Sequence, residues 1–360
     1  VLGNVNLKMM GDFNKMTKQS RLREEIEQAM AKKIKINEFE VFKFGDNVYS
    51  EFENNGKKYL LNKEPYLDIV LTDYCNANCN FCIADLIHNK LNGDIEIFKE
   101  KILFAINNMN VREVLLLGGE PTMSKMLLPM IEWLSTLKLD KIVMTTNGIR
   151  LAQNKKYREK VLSCGLTNIN ISFMNIDIDK QKQITNSKYI LTVNDIKNIY
   201  ETANKNKVNV RINNNVFLGN NDNLIDIIDF YNAVKNYSNS VKISPLLETD
   251  SFSVVDYKTK WANENRLSDE QTLSLFNDIQ NYFSDKYNCC IIENDLQFGF
   301  VKNTMIPLKT PIILNWNFGN YTGMMRKVTE ENKINNLKLL SNNELSLSWN
   351  RELDEYFIKT

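Results

Sequence analysis

"DYCNANCNFC", residues 73–82, places Cys75, Cys79 and Cys82 within one short stretch. A structural zinc site asks for four protein ligands, as does an ordinary iron–sulfur cluster. A loop that supplies three either draws a fourth from elsewhere or leaves a position open for chemistry. The corners of a cubane lie a few ångströms apart, so one compact loop can hold three of them and leave the last iron to a small molecule. The bland alternatives are unrelated buried thiols, or a zinc site closed by a distant ligand, with His88 the only histidine to serve. Asn76, Asn78 and Asn80 tolerate turn conformations and offer donors toward sulfur.

Upstream of the loop lies an apolar run, "YLDIVLT" (66–72). Similar runs recur downstream: "EVLLL" (113–117), "KIVMTT" (141–146), "NINISF" (168–173), "VNVRINNNV" (208–216) and "SVKISPL" (240–246). Between them lie segments with helical spacing, such as "IFKEKILFAINNM" and "SKMLLPMIEWLSTL". Strands alternating with helices predict parallel βα units, hence an α/β fold. Periodicity alone does not choose between a barrel and an open doubly wound sheet.

The flanks read differently. "KQSRLREEIEQAMAKKIKI" carries Leu22, Ile26, Met30 and Ile34 at four-residue intervals, which predicts an amphipathic helix over 17–34. The following stretch alternates around Asn55-Gly56, a type I′ hairpin signal. Residues 1–65 are thus a helix-plus-hairpin extension, 66–250 the βα body, and 251–360 an α+β segment. In that segment Ser268 and Gln271 form a capping box, and Asn342-Asn343 turns a hairpin.

Of 360 residues, 43% are hydrophobic and 25% charged, enough for a large core. A net charge of +1 gives no nucleic-acid footprint. The first fifteen residues show no apolar core of signal-peptide length, and no run approaches the ~18 apolar residues of a membrane span. Six cysteines in so long a chain are no disulfide framework and point to a reducing, cytoplasmic setting.

In parallel βα architectures the loops at the carboxyl ends of the strands converge, and function gathers there. The conspicuous residues fall at such ends: the cysteine loop, then Gly118-Gly119-Glu120-Pro121, then Thr146-Asn147-Gly148, Ser172, and Ser244-Pro245. Arg211 and Asn213 sit on the fifth run. Two glycines permit close backbone approach, and Glu120 offers a carboxylate to a cation such as an amino group.

The cysteine triplet with Phe81 before its last member, then "GGEPT" and "TTNG", resembles the radical S-adenosylmethionine (SAM) enzymes over about residues 66–250. "RINNNVFLGNND" is similar to the fifth-strand segment of the molybdenum-cofactor cyclase and viperin branches. The resemblance implies a partial (β/α)6 TIM-like barrel, one [4Fe–4S] cluster on Cys75, Cys79 and Cys82, and SAM chelated through its amino and carboxylate groups. It implies that Glu120 with Gly118 and Gly119 holds the methionine ammonium. Thr146, its neighbour Asn147, and Ser172 would meet the methionine or ribose, Asn213 the ribose and adenine, and Phe81 the adenine. Several relatives pair the SAM carboxylate with an arginine where this chain reads "ITNSKYI"; Lys188 and Arg211 are the cations on hand. It implies reductive SAM cleavage to a 5′-deoxyadenosyl radical, hydrogen abstraction from substrate, and a one-electron donor such as flavodoxin or ferredoxin.

The remaining cysteines, Cys164, Cys289 and Cys290, do not make an auxiliary-cluster (SPASM-type) domain, though Cys289 or Cys290 is a candidate hydrogen donor. Trp316, Phe318, Tyr321 and Trp349 read as sheet core before they read as a substrate wall. The extra N-terminal elements and the C-terminal segment suggest a ribosomally made precursor peptide as substrate. A small molecule or nucleotide is the second reading, and a non-catalytic electron-transfer or redox-sensing protein the reading from another class.

Overall fold

The computed structural model describes residues 33–36, 39–43, 49–82, 91–247, 257–287, 289–296, 300–306, 308–317, 333–349 and 354–360. Its strands are β1 (Lys33–Ile36), β2 (Phe39–Lys43), β3 (Tyr49–Asn54), β4 (Lys57–Val70), β5 (Glu113–Leu117), β6 (Lys141–Thr146), β7 (Asn168–Ser172), β8 (Asn209–Val216), β9 (Ser240–Pro245), β10 (Cys290–Leu296), β11 (Phe300–Ile306), β12 (Ile312–Asn317), β13 (Lys333–Leu339) and β14 (Leu345–Ser346). Its helices are α1 (Ile95–Met109), α2 (Leu127–Leu134), α3 (Ile149–Gln153), α4 (Lys155–Ser163), α5 (Ile178–Thr185), α6 (Val193–Lys205), α7 (Leu224–Val234), α8 (Tyr257–Asn265) and α9 (Asp269–Tyr287).

Strands β4 to β9 pair in chain order, all parallel. They are the six predicted runs, each within a residue or two of its sequence limits except β4, which starts earlier. Two more strands extend this sheet in parallel: β12 beside β9 and β13 beside β4. The strand order runs from β12 to β13 without joining them, so the barrel is partial and open on that side. Beyond β12 an antiparallel meander of β11 and β10 continues the sheet to β2 and β1.

β4 is one continuous strand. Its first half forms a hairpin with β3 across Asn55 (φ 50°) and Gly56 (φ 75°), the left-handed pair a type I′ turn requires. Its second half enters the barrel. The predicted helix over 17–34 falls outside the described residues up to 32. From Lys33 to Ile36 the chain is instead strand β1, paired with β2. "KIKI" alternates with period two and carries two β-branched side chains, which suits a strand better than the end of a helix.

Helix starts follow local chemistry. Asp94 accepts from the Glu96 and Ile97 amides at α1, Thr192 and Asp195 close a capping box at α6, and Asn223 caps α7. The predicted Ser268–Gln271 box starts α9: the Ser268 amide donates to Gln271 Oε1 at 3.0 Å, and the Gln271 amide to Ser268 Oγ at 3.2 Å. Among the described residues no helix is long and apolar enough to cross a membrane.

The core lies between sheet and helices. Leu116, Met144, Ile171, Ile212 and Ile243 are fully buried against Ile102, Leu127, Ile196 and Phe230. The alternate side chains, facing into the barrel, are partly accessible along most of β5 to β9. The inside of this barrel is therefore wetter than its outside.

Trp316 is fully buried on β12, tilted 5.3 Å from Phe276 of α9, and its indole N–H donates to the Thr272 carbonyl at 2.9 Å. It is core, not substrate wall; Trp349 sits beside Lys338, and Phe318 and Tyr321 lie outside the described residues. Trp316→Ala is expected to cost about 3–5 kcal/mol, read as a fall in the denaturant midpoint.

Candidate cluster and cofactor site

The cysteine loop leaves β4 and is tied down on three sides. The Gly119 amide donates to the Thr72 carbonyl and the Glu120 amide to the Tyr74 carbonyl, each at 2.7 Å, so the ends of β4 and β5 stay paired beyond the strands. A Cβ on Gly118 would lie 2.5 Å from the Thr72 oxygen, and one on Gly119 would lie 2.4 Å from the Asp73 oxygen. Both glycines are thus demanded by the chain's own backbone, a reason the sequence reading did not see. On the second side, the Asn78 and Asn80 amides donate to the Thr185 and Ile184 carbonyls at the end of α5. Asn186, with φ 44°, adds bonds from its side chain to the Asn78 carbonyl and to Asn80 Oδ1. On the third, Asn147 Nδ2 donates to Asn76 Oδ1 at 2.8 Å. The loop asparagines therefore staple the loop; the donors aimed at sulfur are the Ala77 amide (3.4 Å) and Asn147 Nδ2 (3.7 Å), both onto Cys75.

All three thiols border one cleft of about 780 Å³, part of it open to solvent. Among the described residues no three His, Cys, Asp or Glu side chains converge on a single ion. A cubane makes a different demand, since each thiolate needs to reach only its own iron. Burial pushes the Cys75 thiol up to about 11 and the Cys79 thiol to about 12, with neighbouring thiolates adding to both. These groups are protonated at neutral pH, and binding iron there releases protons.

The opposite wall is built by Glu120, which is 1% exposed. Its Oε1 accepts from the Thr122 amide (3.0 Å), the Thr122 hydroxyl (2.7 Å) and the Thr146 hydroxyl (2.6 Å); its Oε2 accepts from the Asn147 amide (2.7 Å). Burial raises its pKa and these donors pull it back. None of the four is a cation, and Oε2 keeps acceptor capacity. A buried carboxylate oriented by neutral donors beside a three-thiol loop has the charge and free acceptor capacity to receive a cation such as an ammonium group. The donor set thus fits a [4Fe–4S] cluster with SAM's methionine end between cluster and carboxylate.

Of the other predicted residues, Phe81, Gly118, Gly119, Thr146, Asn147 and Ser172 all line the cleft. Phe81 lies 6.0 Å from Phe217, which meets Trp261 of α8 edge-on at 5.3 Å. Lys188 is exposed, while its neighbours Ser187 and Tyr189 line the cleft. Arg211 and Asn213 are not in the lining. Asn213 pairs with Ser172 across the β7–β8 ladder, and Arg211 lies two residues further from the cleft, in the lumen. Cys289 packs partly buried against the main core, Cys290 begins β10 in the meander, and Cys164 caps α4. His88 lies outside the described residues.

Sequence reading missed the supports. Gln181 on α5 accepts from the Met174 and Asn175 amides (3.1 and 3.0 Å) and fixes the loop after β7. Asn214 and Asn221 donate to carbonyls of the same loop, and Asn220 accepts from Asn175. A buried glutamine one turn before Ile184, and the run of asparagines after Arg211, were the available signals.

A partial barrel with a three-cysteine loop and an acidic socket at its carboxyl rim defines a class of cluster-bearing βα proteins. Residues 69–234 match the Radical SAM superfamily. The chain is 32% identical over 190 residues to the probable GTP 3′,8-cyclase of Archaeoglobus fulgidus, covering 52% of this chain and 60% of that one. With the GTP 3′,8-cyclase of Clostridium botulinum it is 26% identical over 313 residues, 82% and 92% of the two chains. The fold is shared with Streptococcus suis SuiB bound to S-adenosylmethionine: TM-score 0.57, 16% identity, 80% of this chain and 61% of that one. The chain thus spans about three fifths of the length of the Archaeoglobus relative and of SuiB. Residues 69–234 thus match the radical SAM family, and the chain is similar to GTP 3′,8-cyclases.

Gly119→Ala is expected to cost ~1–3 kcal/mol, because the clash is with backbone that cannot swing aside. Thermal unfolding and iron bound per chain after reconstitution should both fall. A second expectation concerns Asp68 and Lys338, cross-strand partners on β4 and β13. Burial raises Asp68 from 3.8 to about 7 and lowers Lys338 from 10.5 to about 8. Between pH 4 and 7 the native state holds more protons at Asp68 than the unfolded chain, so this residue's contribution to stability falls as pH rises. Between pH 8 and 10.5 the unfolded chain holds more at Lys338, and stability recovers. Asp68→Asn should flatten the first limb in denaturant titrations across that range.

Proposed function

We propose that this chain is an enzyme that reductively cleaves SAM and abstracts a hydrogen atom from a substrate held in the barrel lumen. Cys75, Cys79 and Cys82 hold a [4Fe–4S] cluster by three irons. Glu120 takes the methionine ammonium, with the Gly118-Gly119 backbone beside it. Thr146 and Thr122 fix the carboxylate so that it arrives aligned. Asn147 holds both the carboxylate and the cysteine loop, which sets the distance between ammonium socket and cluster. Ser172 faces the cofactor from β7, and Phe81, Met174 and the Phe217–Trp261 contact shield its apolar side. When bound, cluster and SAM supply a one-electron cleavage of the sulfonium C–S bond and hence the hydrogen-abstracting carbon radical. The protein's part is to position a substrate carbon and keep water and stray hydrogen donors away. The electron comes from a donor such as flavodoxin or ferredoxin.

The observation that carries this reading is the buried Glu120 carboxylate facing the three-cysteine loop with no cation among its partners in the described residues. An electron carrier or redox sensor has no use for such a socket. For the substrate, the sequence relatives support a nucleotide or other small molecule. A precursor peptide is the second reading, supported by the hairpin and meander that the chain adds around the barrel.

Anaerobic protein reconstituted with iron and sulfide should show a reduced-cluster spin-resonance signal that shifts on adding SAM, and should form 5′-deoxyadenosine with dithionite. Cys79→Ala should abolish both. Glu120→Gln should keep the cluster but weaken SAM binding about ten- to hundredfold, the worth of a charge-assisted bond in a buried site. A cluster signal indifferent to SAM would refute the proposal.

A further inference from the structure

Four donors orient Glu120, and Thr122 supplies two of them, its amide and its hydroxyl, both to Oε1. Thr122 itself sits in a single turn, Pro121–Met123. There the Met123 amide donates to the Glu120 carbonyl and the Ser124 amide to the Pro121 carbonyl, each at 3.0 Å. So short a turn has little cooperativity to hold it in place. A second layer supplies the hold. The Thr122 carbonyl accepts from Arg150 Nη1 and from the Tyr157 hydroxyl, the latter at 3.2 Å. Two donors use both lone pairs of that oxygen. Arg150 also stacks on Tyr157, its guanidinium carbon 4.1 Å from the ring centre. Backbone joins the two residues as well: the Asn154 amide donates to the Arg150 carbonyl at 3.1 Å, and Asn154 Oδ1 accepts from the Tyr157 amide at 2.9 Å, at the junction of α3 and α4. Arg150 closely follows Thr146 and Asn147, the other two residues that donate to Glu120. Burial raises the Tyr157 pKa, Arg150 lowers it and Glu120 raises it again, so the three groups lie within electrostatic reach of one another.

Resting on the proposed function, we propose that Arg150 and Tyr157 are positioning residues for the cofactor's ammonium: by clamping the Thr122 carbonyl they keep the Thr122 donors on Glu120 and so fix the orientation of its carboxylate. The guanidinium's choice of partner matters. An arginine placed on Glu120 itself would pair bidentately with the carboxylate and fill the acceptor capacity that an incoming ammonium needs. Set one layer back, on a carbonyl, the same cation supports the donors of Glu120 and leaves Oε2 able to accept. A lysine could reach the carbonyl as a point charge but would not lie flat on the Tyr157 ring. Without the clamp the turn would let Glu120 sample other orientations, and SAM would have to order it on binding, at a cost in affinity.

The test is calorimetric titration of the anaerobic, cluster-loaded chain with two probes: SAM, and 5′-methylthioadenosine, which keeps the nucleoside and the sulfur but has no ammonium. Arg150→Met should weaken SAM about five- to tenfold and Tyr157→Phe about threefold, the range of single hydrogen bonds. Both variants should bind 5′-methylthioadenosine as the unaltered protein does. Arg150→Lys should recover part of the loss. In a Glu120→Gln background, Arg150→Met should lose most of its effect, because the two residues act through one contact. Iron per chain and the thermal midpoint are read on the same samples. Tyr157→Phe removes a single hydroxyl, so it carries the test should Arg150→Met fail to fold. The proposal is overturned if both probes weaken alike, if neither variant changes SAM affinity, or if Arg150→Met weakens SAM just as much in the Glu120→Gln background. These outcomes leave the proposed function standing; an unaltered protein that binds no SAM refutes that function and the positioning role together.

Discussion

Two backbone hydrogen bonds, from the Gly119 and Glu120 amides to the Thr72 and Tyr74 carbonyls, carry the β4–β5 ladder past the point where a parallel sheet normally lets its strands diverge. The site depends on that extension. It leaves no room for a side chain at residue 118 or 119. It also aims the Glu120 side chain across the cleft, where Thr122, Thr146 and the Asn147 amide can orient it. Because the same bonds anchor the first residues of the cysteine loop, thiols and carboxylate are referenced to one piece of backbone. Loops elsewhere in the barrel can shift without changing the separation that matters.

Around that anchor, the holding is done by neutral groups. Asn147, Asn186, Asn214, Asn220 and Asn221 join loops to one another, and Gln181 closes the turn after β7. An amide can donate and accept while adding no net charge. Lysines in the same places would compete with an ammonium for Glu120 and would pair with the thiolates. Aspartates would push thiol pKa values still higher. The asparagine-rich composition of these loops is thus an electrostatic choice as well as a conformational one, and it leaves Glu120, with Lys258 whose charge acts on Cys79, as fixed charges of the site.

The six barrel strands were legible because their outward faces alternate fully apolar with partly polar residues, and the loop cysteines because three thiols so close have few uses. The Asn55-Gly56 turn and the Ser268–Gln271 box were legible because their chemistry is local. What stayed hidden was set by distant pairings. That β12 and β13, from the far end of the chain, would join opposite edges of the sheet follows from no period in their sequences. The glycines read as places for a ligand's approach, whereas the neighbouring backbone fills the space. Lys188 and Arg211 looked equivalent as cations near SAM; only register shows one exposed beside the cleft and the other a layer down in the lumen. Asp68 sat unnoticed inside an apolar run because its burial depends on β13.

That lumen is the most informative departure from what stability alone would select. Parallel barrels are ordinarily filled by layers of branched apolar side chains. Here the outward positions hold the apolar core while inward ones carry Asp68, Asn170, Arg211, Asn213 and Lys338. Replacing such buried charges by well-packed hydrocarbons is often neutral or stabilising, so folding gives no reason to keep them. The outer core, sealed between sheet and helices, makes their retention tolerable, because the barrel does not need its interior to stand. An inner face kept polar against the preference of the fold, next to the cleft that holds the three thiols and Glu120, is retained for something other than stability.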